Sequence, residues 1–333
     1  MKTEFTTLLG IDCPIVQAPI GSATNAKLAS EVSNAGGLGM LALSWKSLKD
    51  CENSIRETKR LTHRPFGVNL VLDRDQKERV ALCIAEKVAV VSFFWGDSSP
   101  YIGTLKAHGI KVCQTVPNVQ EAVKYENAGV DFLIVQGWEA GGHVQGTIAN
   151  TILIPAVADK VKLPIIAAGG FADGRGLVAA LALGASGISM GTRFLMSKEA
   201  QIEEEYANLI AAATEEDTIY AKDLFHIGWE NAPHRVLRNS TVKAWEHQGR
   251  PVIGERPGEG EIVGYTADKN PIYRYSDNNP IKGSTGNLEA MALYAGQTAG
   301  LVNQRLPAKE IIKETLRFAA DTLKGLNNIG PEV

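Results

Sequence analysis

Short apolar runs alternate with segments of helical periodicity over the first two thirds of the chain. Eight runs rich in β-branched residues begin near residues 15, 38, 66, 88, 111, 130, 164 and 187. Apolar residues recur at helical spacing over 26–35, 48–61, 74–86, 102–108, 119–128, 152–161, 174–183 and 199–213. Strands that alternate with helices in this way predict a parallel sheet whose faces are covered by the helices.

The number of repeats decides between two architectures. Eight βα units close into a (β/α)8 barrel of the TIM type, whereas an open doubly wound sheet needs a glycine-rich phosphate loop directly after its first strand. The chain there reads Q-A-P-I-G-S over 17–22, which contains no G-x-G-x-x-G. We therefore predict an α/β fold with a closed TIM barrel.

The composition changes once the eighth unit is complete. Residues 219–286 are rich in Gly, Pro, Asn and aromatics and show little periodicity. A segment of this length is typical of a lid or an interface, and its aromatic residues argue against disorder. Helical periodicity returns over 288–304 and 308–323. We predict three regions: a barrel core at 1–215, an irregular lid or interface excursion at 216–286, and C-terminal helices packed on the barrel at 287–333.

Composition and charge narrow the class of partner. Of the 333 residues, 44% are hydrophobic and 21% are charged, and the net charge is −3, so no basic surface is expected for nucleic acid or anionic lipid. No apolar run reaches the roughly 18–20 residues of a membrane span, and the N-terminus lacks the apolar core of a signal peptide. Cys13, Cys51, Cys83 and Cys113 lie far apart, without metal-ligand spacing, and suit free thiols. We expect a cytoplasmic monomer or homodimer that acts on a small molecule.

The stretch from Asp131 to Gly146 holds the strongest candidate for chemistry. A buried apolar strand, F-L-I-V, runs into the glycine-rich loop Q-G-W-E-A-G-G-H-V-Q-G. The loop carries one carboxylate, Glu139, and one imidazole, His143, and it lies in the longest interval between two predicted strands. Barrel enzymes build their sites from loops at the carboxyl ends of strands, so we expect chemistry here. The alternative is a surface loop with a solvated histidine, and Glu139 suits a loop anchor better than a catalytic group.

The last two strands end in signals for a phosphate. A-A-G-G-F-A-D at 167–173 ends one strand in two glycines and opens a helix, and M-G-T at 190–192 ends the next. Barrel enzymes commonly hold a phosphate with these two loops and a helix N-terminus. The alternative is a tight turn with Asp173 as the helix N-cap. Asn69 and Gln114, near other strand ends, carry amides that can pair with the edge of a heterocycle.

These motifs together resemble the nitronate monooxygenase family, formerly called 2-nitropropane dioxygenases. The similar segments, in order over about 5–325, are Q-A-P-I-G (17–21), G-V-N (67–69), Q-G-W-E-A-G-G-H (136–143), A-A-G-G (167–170), M-G-T-R-F (190–194), N-A-P-H-R-V-L-R-N (231–239) and A-G-Q-T-A-G-L (295–301). The first motif ordinarily ends in Met and here has Ile20, and the stretch from Val144 to Gly146 is one residue longer than expected. The resemblance implies an FMN-dependent barrel with His143 as catalytic base. It also implies FMN contacts from Ala18, Pro19, Asn69, Gln114, Gln136, Gly137, Gly142, Ala168, Gly169, Gly170, Gly191 and Thr192.

The function expected first is oxidation of nitroalkanes or nitronates by O2 to a carbonyl compound and nitrite. Loss of the α-proton makes a nitroalkane oxidisable, and histidine has an ordinary pKa close to neutral, which suits a base. The same E-A-G-G-H barrel is similar to type II enoyl-acyl-carrier-protein reductases and quinone reductases, so an FMN-dependent NAD(P)H reductase with His143 as proton donor is the alternative. A third possibility is a binding barrel without catalysis. His226, His234 and His247 lie in the excursion and are given no role.

Overall fold

A computed structural model describes residues 1–327, and its centre is a ring of parallel strands. The strands are β1 Ile15–Gln17, β2 Gly39–Ala42, β3 Phe66–Val71, β4 Val90–Phe94, β5 Lys111–Val116, β6 Phe132–Gln136, β7 Gly142–His143, β8 Ile165–Ala168, β9 Gly187–Met190, β10 Thr218–Ala221, β11 His234–Leu237, β12 Ile262–Tyr265, β13 Pro271–Tyr273 and β14 Thr285–Gly286. The helices are α1 Glu4–Leu9, α2 Ala26–Asn34, α3 Leu48–Leu61, α4 Lys77–Ala85, α5 Ser99–Ala107, α6 Val119–Ala128, α7 Asn150–Ala158, α8 Gly174–Ala182, α9 Thr192–Leu195, α10 Glu204–Ala212, α11 Ser240–His247 and α12 Ala308–Asn327.

The barrel strands are β1 to β6, β8 and β9. They are hydrogen-bonded in the order β1-β9-β8-β6-β5-β4-β3-β2, and all neighbours are parallel. A parallel bridge between Val16 and Leu38 joins β1 to β2 and closes the ring. The predicted TIM barrel is confirmed.

The helices begin where the sequence supplies caps for their free N–H groups. Side chains of Asn25, Ser47, Asn118 and Asp173 accept backbone N–H groups at the first turns of α2, α3, α6 and α8. Ser, Asn and Asp are preferred there because their oxygens satisfy donors that the helix itself leaves free. These helices pack around the outside of the ring and bury the outward-facing residues of the strands.

The inside of the barrel is filled at one end and open at the other. Phe5 of α1, a helix that the periodicity did not predict, is fully buried in a cluster with Met40, Val90 and Phe132, and its ring centre lies 5.2 Å from that of Phe132. This plug closes the barrel at the amino ends of the strands. The carboxyl ends are therefore where a ligand can enter.

The excursion at 216–286 contains more regular structure than predicted. Its strands β10 and β11 form an antiparallel sheet with β7, its strands β12, β13 and β14 form a second sheet, and it contains helix α11. The sequence did not predict these strands because they have only two to four residues, too few to show an alternating pattern. Since β7 belongs to the loop of His143, this loop is hydrogen-bonded to the excursion.

The predicted helix over 288–304 is also wrong. The segment has only two 3₁₀ turns, Leu288–Ala290 and Gln297–Leu301. Its backbone N–H groups instead form hydrogen bonds to residues at the barrel mouth. Gly296 N–H donates to Thr192 Oγ1 at 3.0 Å, and Gln297 N–H donates to Glu139 O at 3.1 Å. The second predicted C-terminal helix is α12, which packs on α8 and α2. In the described part of the chain, residues 1–327, no helix is long and apolar enough to cross a bilayer.

Candidate active site

A cavity of about 500 Å³ opens at the carboxyl ends of the barrel strands. Its wall combines the strand ends with residues from the excursion and from the segment before α12. Most of the predicted site residues lie in this wall, namely Ala18, Pro19, Asn69, Gln136, Gly142, His143, Ala168, Gly191 and Thr192. Gln114, Gly137, Gly169 and Gly170 do not line it directly.

The predicted residues outside the cavity wall occupy two kinds of position. Gln114 is buried within β5, and its Oε1 has no hydrogen-bond partner among the described residues. Gly137 and Gly169 allow loops to pack closely: a Cβ at Gly137 would lie 2.3 Å from Asn150 Nδ2, and a Cβ at Gly169 2.9 Å from Ala140 N. Gly170 is exposed at the rim, with a positive φ of 79° that favours glycine.

Free backbone donors line the rim after β8 and β9. The N–H groups of Gly169, Gly170, Gly191 and Thr192 donate to no protein acceptor within residues 1–327. The N-terminus of α8 does not join them, because Asp173 accepts its N–H groups at 2.9 and 3.4 Å. Asp173 is thus the helix cap of the alternative interpretation, while the glycine N–H groups stay available to an anion.

His143 reaches the cavity from β7, with one ring nitrogen bound and the other free. Its Nδ1 lies 3.2 Å from the carbonyl oxygen of Ala232, which can only accept, so Nδ1 carries the proton. Nε2 has no partner in the described chain and keeps its lone pair. Burial lowers the pKa of His143 from its ordinary near-neutral value to about 3, and the neighbouring His234 contributes.

An aromatic wall runs from His143 to the mouth of the cavity. The ring of Trp229 lies 4.0 Å from that of His143 and 5.4 Å from that of Trp45, which is 45% exposed at the mouth. Trp95 packs on Trp229 at 5.0 Å and has a φ of 58°, unusual for a bulky residue and often found at functional sites. Sequence reasoning missed Trp229; the aromatic content of 219–286 was the available signal.

Two further cavity residues were missed by the sequence analysis. Tyr294 lies 5.5 Å from the ring of His143, its hydroxyl has no partner among the described residues, and burial raises its pKa. Asp277 also lines the cavity, and burial raises its pKa to about 6 although Arg74 opposes that shift. A tyrosine directly before A-G-Q at 295–297 was a weak signal, and Asp277 gave none.

Glu139 acts as an anchor for the loop that carries His143. Its carboxylate accepts the backbone N–H of Asn150 at 3.0 Å, at the start of α7. The side-chain amide of Asn150 in turn donates to the carbonyl oxygens of Ala168 and Gly169, at 2.9 and 2.6 Å. The loop of His143 is thereby tied to the loop that carries the free glycine N–H groups.

Comparison with known proteins gives consistent matches over nearly the whole chain. The profile of the nitronate monooxygenase family matches residues 2–78 and 74–317. A (3aS,4S,5R,7aS)-5-hydroxy-7a-methyl-1-oxo-octahydro-1H-indene-4-carboxyl-CoA dehydrogenase of Mycobacterium tuberculosis is 39% identical, over 97% of this chain and 98% of its own. A structure of FabK from Thermotoga maritima is 33% identical with a TM-score of 0.84, covering 99% of this chain and 100% of that one. A nitroalkane oxidase from Streptomyces ansochromogenes is 25% identical with a TM-score of 0.78, covering 97% and 99%.

Proposed function

Because the chain belongs to the nitronate monooxygenase family and is an oxidoreductase, we propose that it uses FMN to oxidise nitroalkanes or their nitronates with O2 to a carbonyl compound and nitrite. The observation that carries the proposal is the free Nε2 of His143 in a cavity whose rim offers unpaired backbone donors. A base and an anion cradle at one barrel mouth suit a phosphate-bearing cofactor beside a substrate that must lose a proton.

The residues present fit FMN. Gln136 lines the cavity and has a buried Oε1 atom without a partner in the described chain, so it has an acceptor left for a heterocycle N–H. The Oε1 atom of Gln114, in the neighbouring strand β5, likewise has no partner there but lies behind the cavity wall. The N–H groups of Gly170, Gly191 and Thr192 would receive the phosphate. A Cβ at Gly191 would meet nothing closer than 3.8 Å, so this backbone faces open space. When bound, FMN supplies the two-electron acceptor that the substrate carbon requires and that O2 reoxidises.

The protein's own part is proton transfer and orientation. His143 takes the α-proton at Nε2 while its Nδ1–H stays on Ala232, so the ring does not turn. The low pKa of the ring reflects burial without a counter-charge; removal of the proton leaves a carbanion beside the new imidazolium, and this pair offsets the burial cost. Trp229 and Tyr294, packed on the ring, exclude water from it.

Two measurements test the cofactor and the base. The purified protein should show a flavin spectrum, and the flavin-free protein should bind FMN more tightly than riboflavin, because only FMN uses the rim N–H groups.

His143→Ala should keep the flavin and lose about 10²-fold or more of kcat/KM on a neutral nitroalkane. His247→Ala, at an exposed position, is the control and should keep full activity. Full activity of His143→Ala would remove this histidine from the mechanism.

A second candidate is dehydrogenation of an alicyclic acyl-CoA, as in the name of the 39% identical relative. The aromatic wall favours it: Trp229 and Trp45 form a flat apolar surface that suits fused hydrocarbon rings, and Arg74 lies 5.9 Å from the ring of Trp45 at the mouth. Anaerobic mixing of the flavin-loaded enzyme separates the candidates. Bleaching by a nitronate supports the first, bleaching by a cyclic acyl-CoA supports the second, and bleaching by NADH alone supports a reductase.

A further inference from the structure

Two histidines share one carbonyl oxygen beside the cavity. Nδ1 of His143 lies 3.2 Å, and Nδ1 of His234 lies 2.9 Å, from the oxygen of Ala232. A carbonyl oxygen has two lone pairs and no proton, so each ring must donate its Nδ1–H to it. The hydrogen bonding of the proposed base therefore includes a second imidazole.

The other nitrogen of His234 is engaged as well. Its Nε2 accepts the backbone N–H of Phe225 at 3.2 Å, and the side chain is fully buried. An imidazole that donates from Nδ1 and accepts at Nε2 is neutral and is fixed in one tautomer. His234 thus has no nitrogen left for a substrate, and it is not part of the cavity wall formed by the described residues.

The backbone around the shared oxygen is joined to the loop of His143. His234 lies opposite His143 in the pairing of β11 with β7, and the N–H of Val144 donates to the oxygen of Pro233 at 2.8 Å. Within the described chain the His143 ring hydrogen-bonds to the Ala232 oxygen and packs on Trp229, which also belongs to the excursion. The position of the Ala232 oxygen relative to that ring is therefore set from the β11 side.

On the basis of the proposed function, we propose that His234 is a positioning residue for proton transfer. Its Nδ1–H holds the oxygen of Ala232 in place, and this oxygen keeps the proton of His143 on Nδ1. The lone pair of His143 Nε2 is then directed at the substrate. In the other tautomer His143 would present an N–H to the substrate carbon, and a ring in the wrong tautomer cannot act as the base.

Two substitutions separate the two hydrogen bonds of His234. His234→Asn keeps an amide N–H close to the position of Nδ1 and loses the acceptor for Phe225. His234→Gln keeps an acceptor near the position of Nε2 and loses the donor to Ala232. We expect His234→Asn to stay near the wild-type kcat on a neutral nitroalkane, and His234→Gln to lose about tenfold in kcat with little change in KM, the scale of one neutral hydrogen bond. Wild-type kcat in His234→Gln, or equal losses in both variants, would overturn the proposal.

A preformed nitronate supplies the control for general damage. It has already lost the α-proton, so His234→Gln should oxidise it at the wild-type rate. A similar loss on nitronate and nitroalkane would mean that His234 only supports the fold, and the positioning role would be rejected.

A second readout does not depend on turnover. Nitrogen-15 NMR of the imidazoles in the flavin-free protein at pH 7 should show the Nδ1–H form of His143 in the wild type and in His234→Asn, and a shift toward the Nε2–H form in His234→Gln. An unchanged tautomer in His234→Gln would refute the inference. If the wild type oxidised no nitro compound, or if His143→Ala were fully active, the proposed function would fail, whereas the NMR result would still decide the role of His234.

Discussion

At the scale of single residues, the cavity combines a neutral imidazole with groups whose protonation is shifted by burial. His143 is kept uncharged, Tyr294 is kept protonated, and the carboxyl of Asp277 titrates near pH 6. Each shift has the same cause, because a half-enclosed apolar wall disfavours whichever form is charged. At pH 7 the imidazole and the phenol are therefore uncharged, whereas Asp277 is mostly ionised.

Asp277 gives a prediction that depends on pH. Its folded pKa, about 6, lies above the ordinary aspartate value, so the stability associated with its neutral form is present at low pH and is lost as pH rises through 6. Asp277→Asn removes the ionisable group, and with it the free-energy cost of burying a charged carboxylate above pH 6. We expect the variant to melt about 1–3 °C above wild type at pH 7.5, with a clearly smaller difference at pH 4.5.

Differential scanning fluorimetry at both pH values checks this prediction. Asp268→Asn, an exposed loop substitution, is the control and should leave the melting temperature unchanged. An offset for Asp277→Asn that is the same at both pH values would show that packing, rather than the charge, is responsible.

The site residues that the sequence analysis named and those that it missed differ in how they reach the cavity. Gln136, Ala168 and Gly191 sit at the ends of barrel strands, and strand order alone brings such positions to one rim. Trp229 and Asp277 reach the cavity through the tertiary pairing of the excursion, which has no repeating pattern to read. Their position depends on long-range contacts that local periodicity does not encode.

At the scale of elements, the close contacts of glycine backbone fix how the pieces fit. Gly174 at the start of α8 lies against α12: a Cβ there would be 2.0 Å from the backbone nitrogen of Ala319. Gly296 similarly lies against the loop of His143, where a Cβ would be 2.8 Å from the oxygen of Glu139. These contacts leave no space for any side chain.

Gly174→Ala should therefore loosen α12 from the barrel. We expect a loss of about 1–3 kcal/mol in the free energy of unfolding, the usual cost of overpacking, measured by urea denaturation. Gly103→Ala is the matched control, since a Cβ at that helical position meets nothing within 4 Å, and it should be neutral or stabilising. Equal effects of the two substitutions would show that α12 adapts without strain.

The same contacts explain why one predicted element failed. Residues 288–304 have helical spacing, yet Gly296 and its neighbours donate to Thr192 and Glu139 at the barrel mouth. Those tertiary hydrogen bonds use the backbone that a helix would need, so the local preference is overridden. By contrast, the barrel strands all begin within two residues of the predicted positions, because buried parallel strands are short continuous apolar runs.

At the scale of the whole molecule, the fold was predictable because the βα unit repeats eight times. With eight repeats, an error in placing one strand or helix does not change the predicted architecture.

Acid stability is a property that only the structure shows. Burial lowers the pKa of His143 to about 3 and that of His234 to about 4, whereas both rings titrate near 6.5 when the chain is unfolded. Unfolding then takes up protons below pH 6.5.

The free energy of unfolding should accordingly fall between pH 7 and pH 5, although Asp277 acts in the opposite direction over part of this range. The urea midpoint measured at the two pH values checks this. In His234→Asn, which removes one of the two buried rings, the fall should be smaller than in wild type. An identical fall in both proteins would show that other groups control acid unfolding.

The closure of the barrel between Val16 and Leu38 limits when the barrel can form during synthesis of the chain. The first strand pairs along its length only with β9, from Ile15 opposite Ile188, and touches its neighbour in sequence through a single bridge. During synthesis the ring of strands therefore cannot close before residues 187–190 have been added, which is after more than half of the chain has been made.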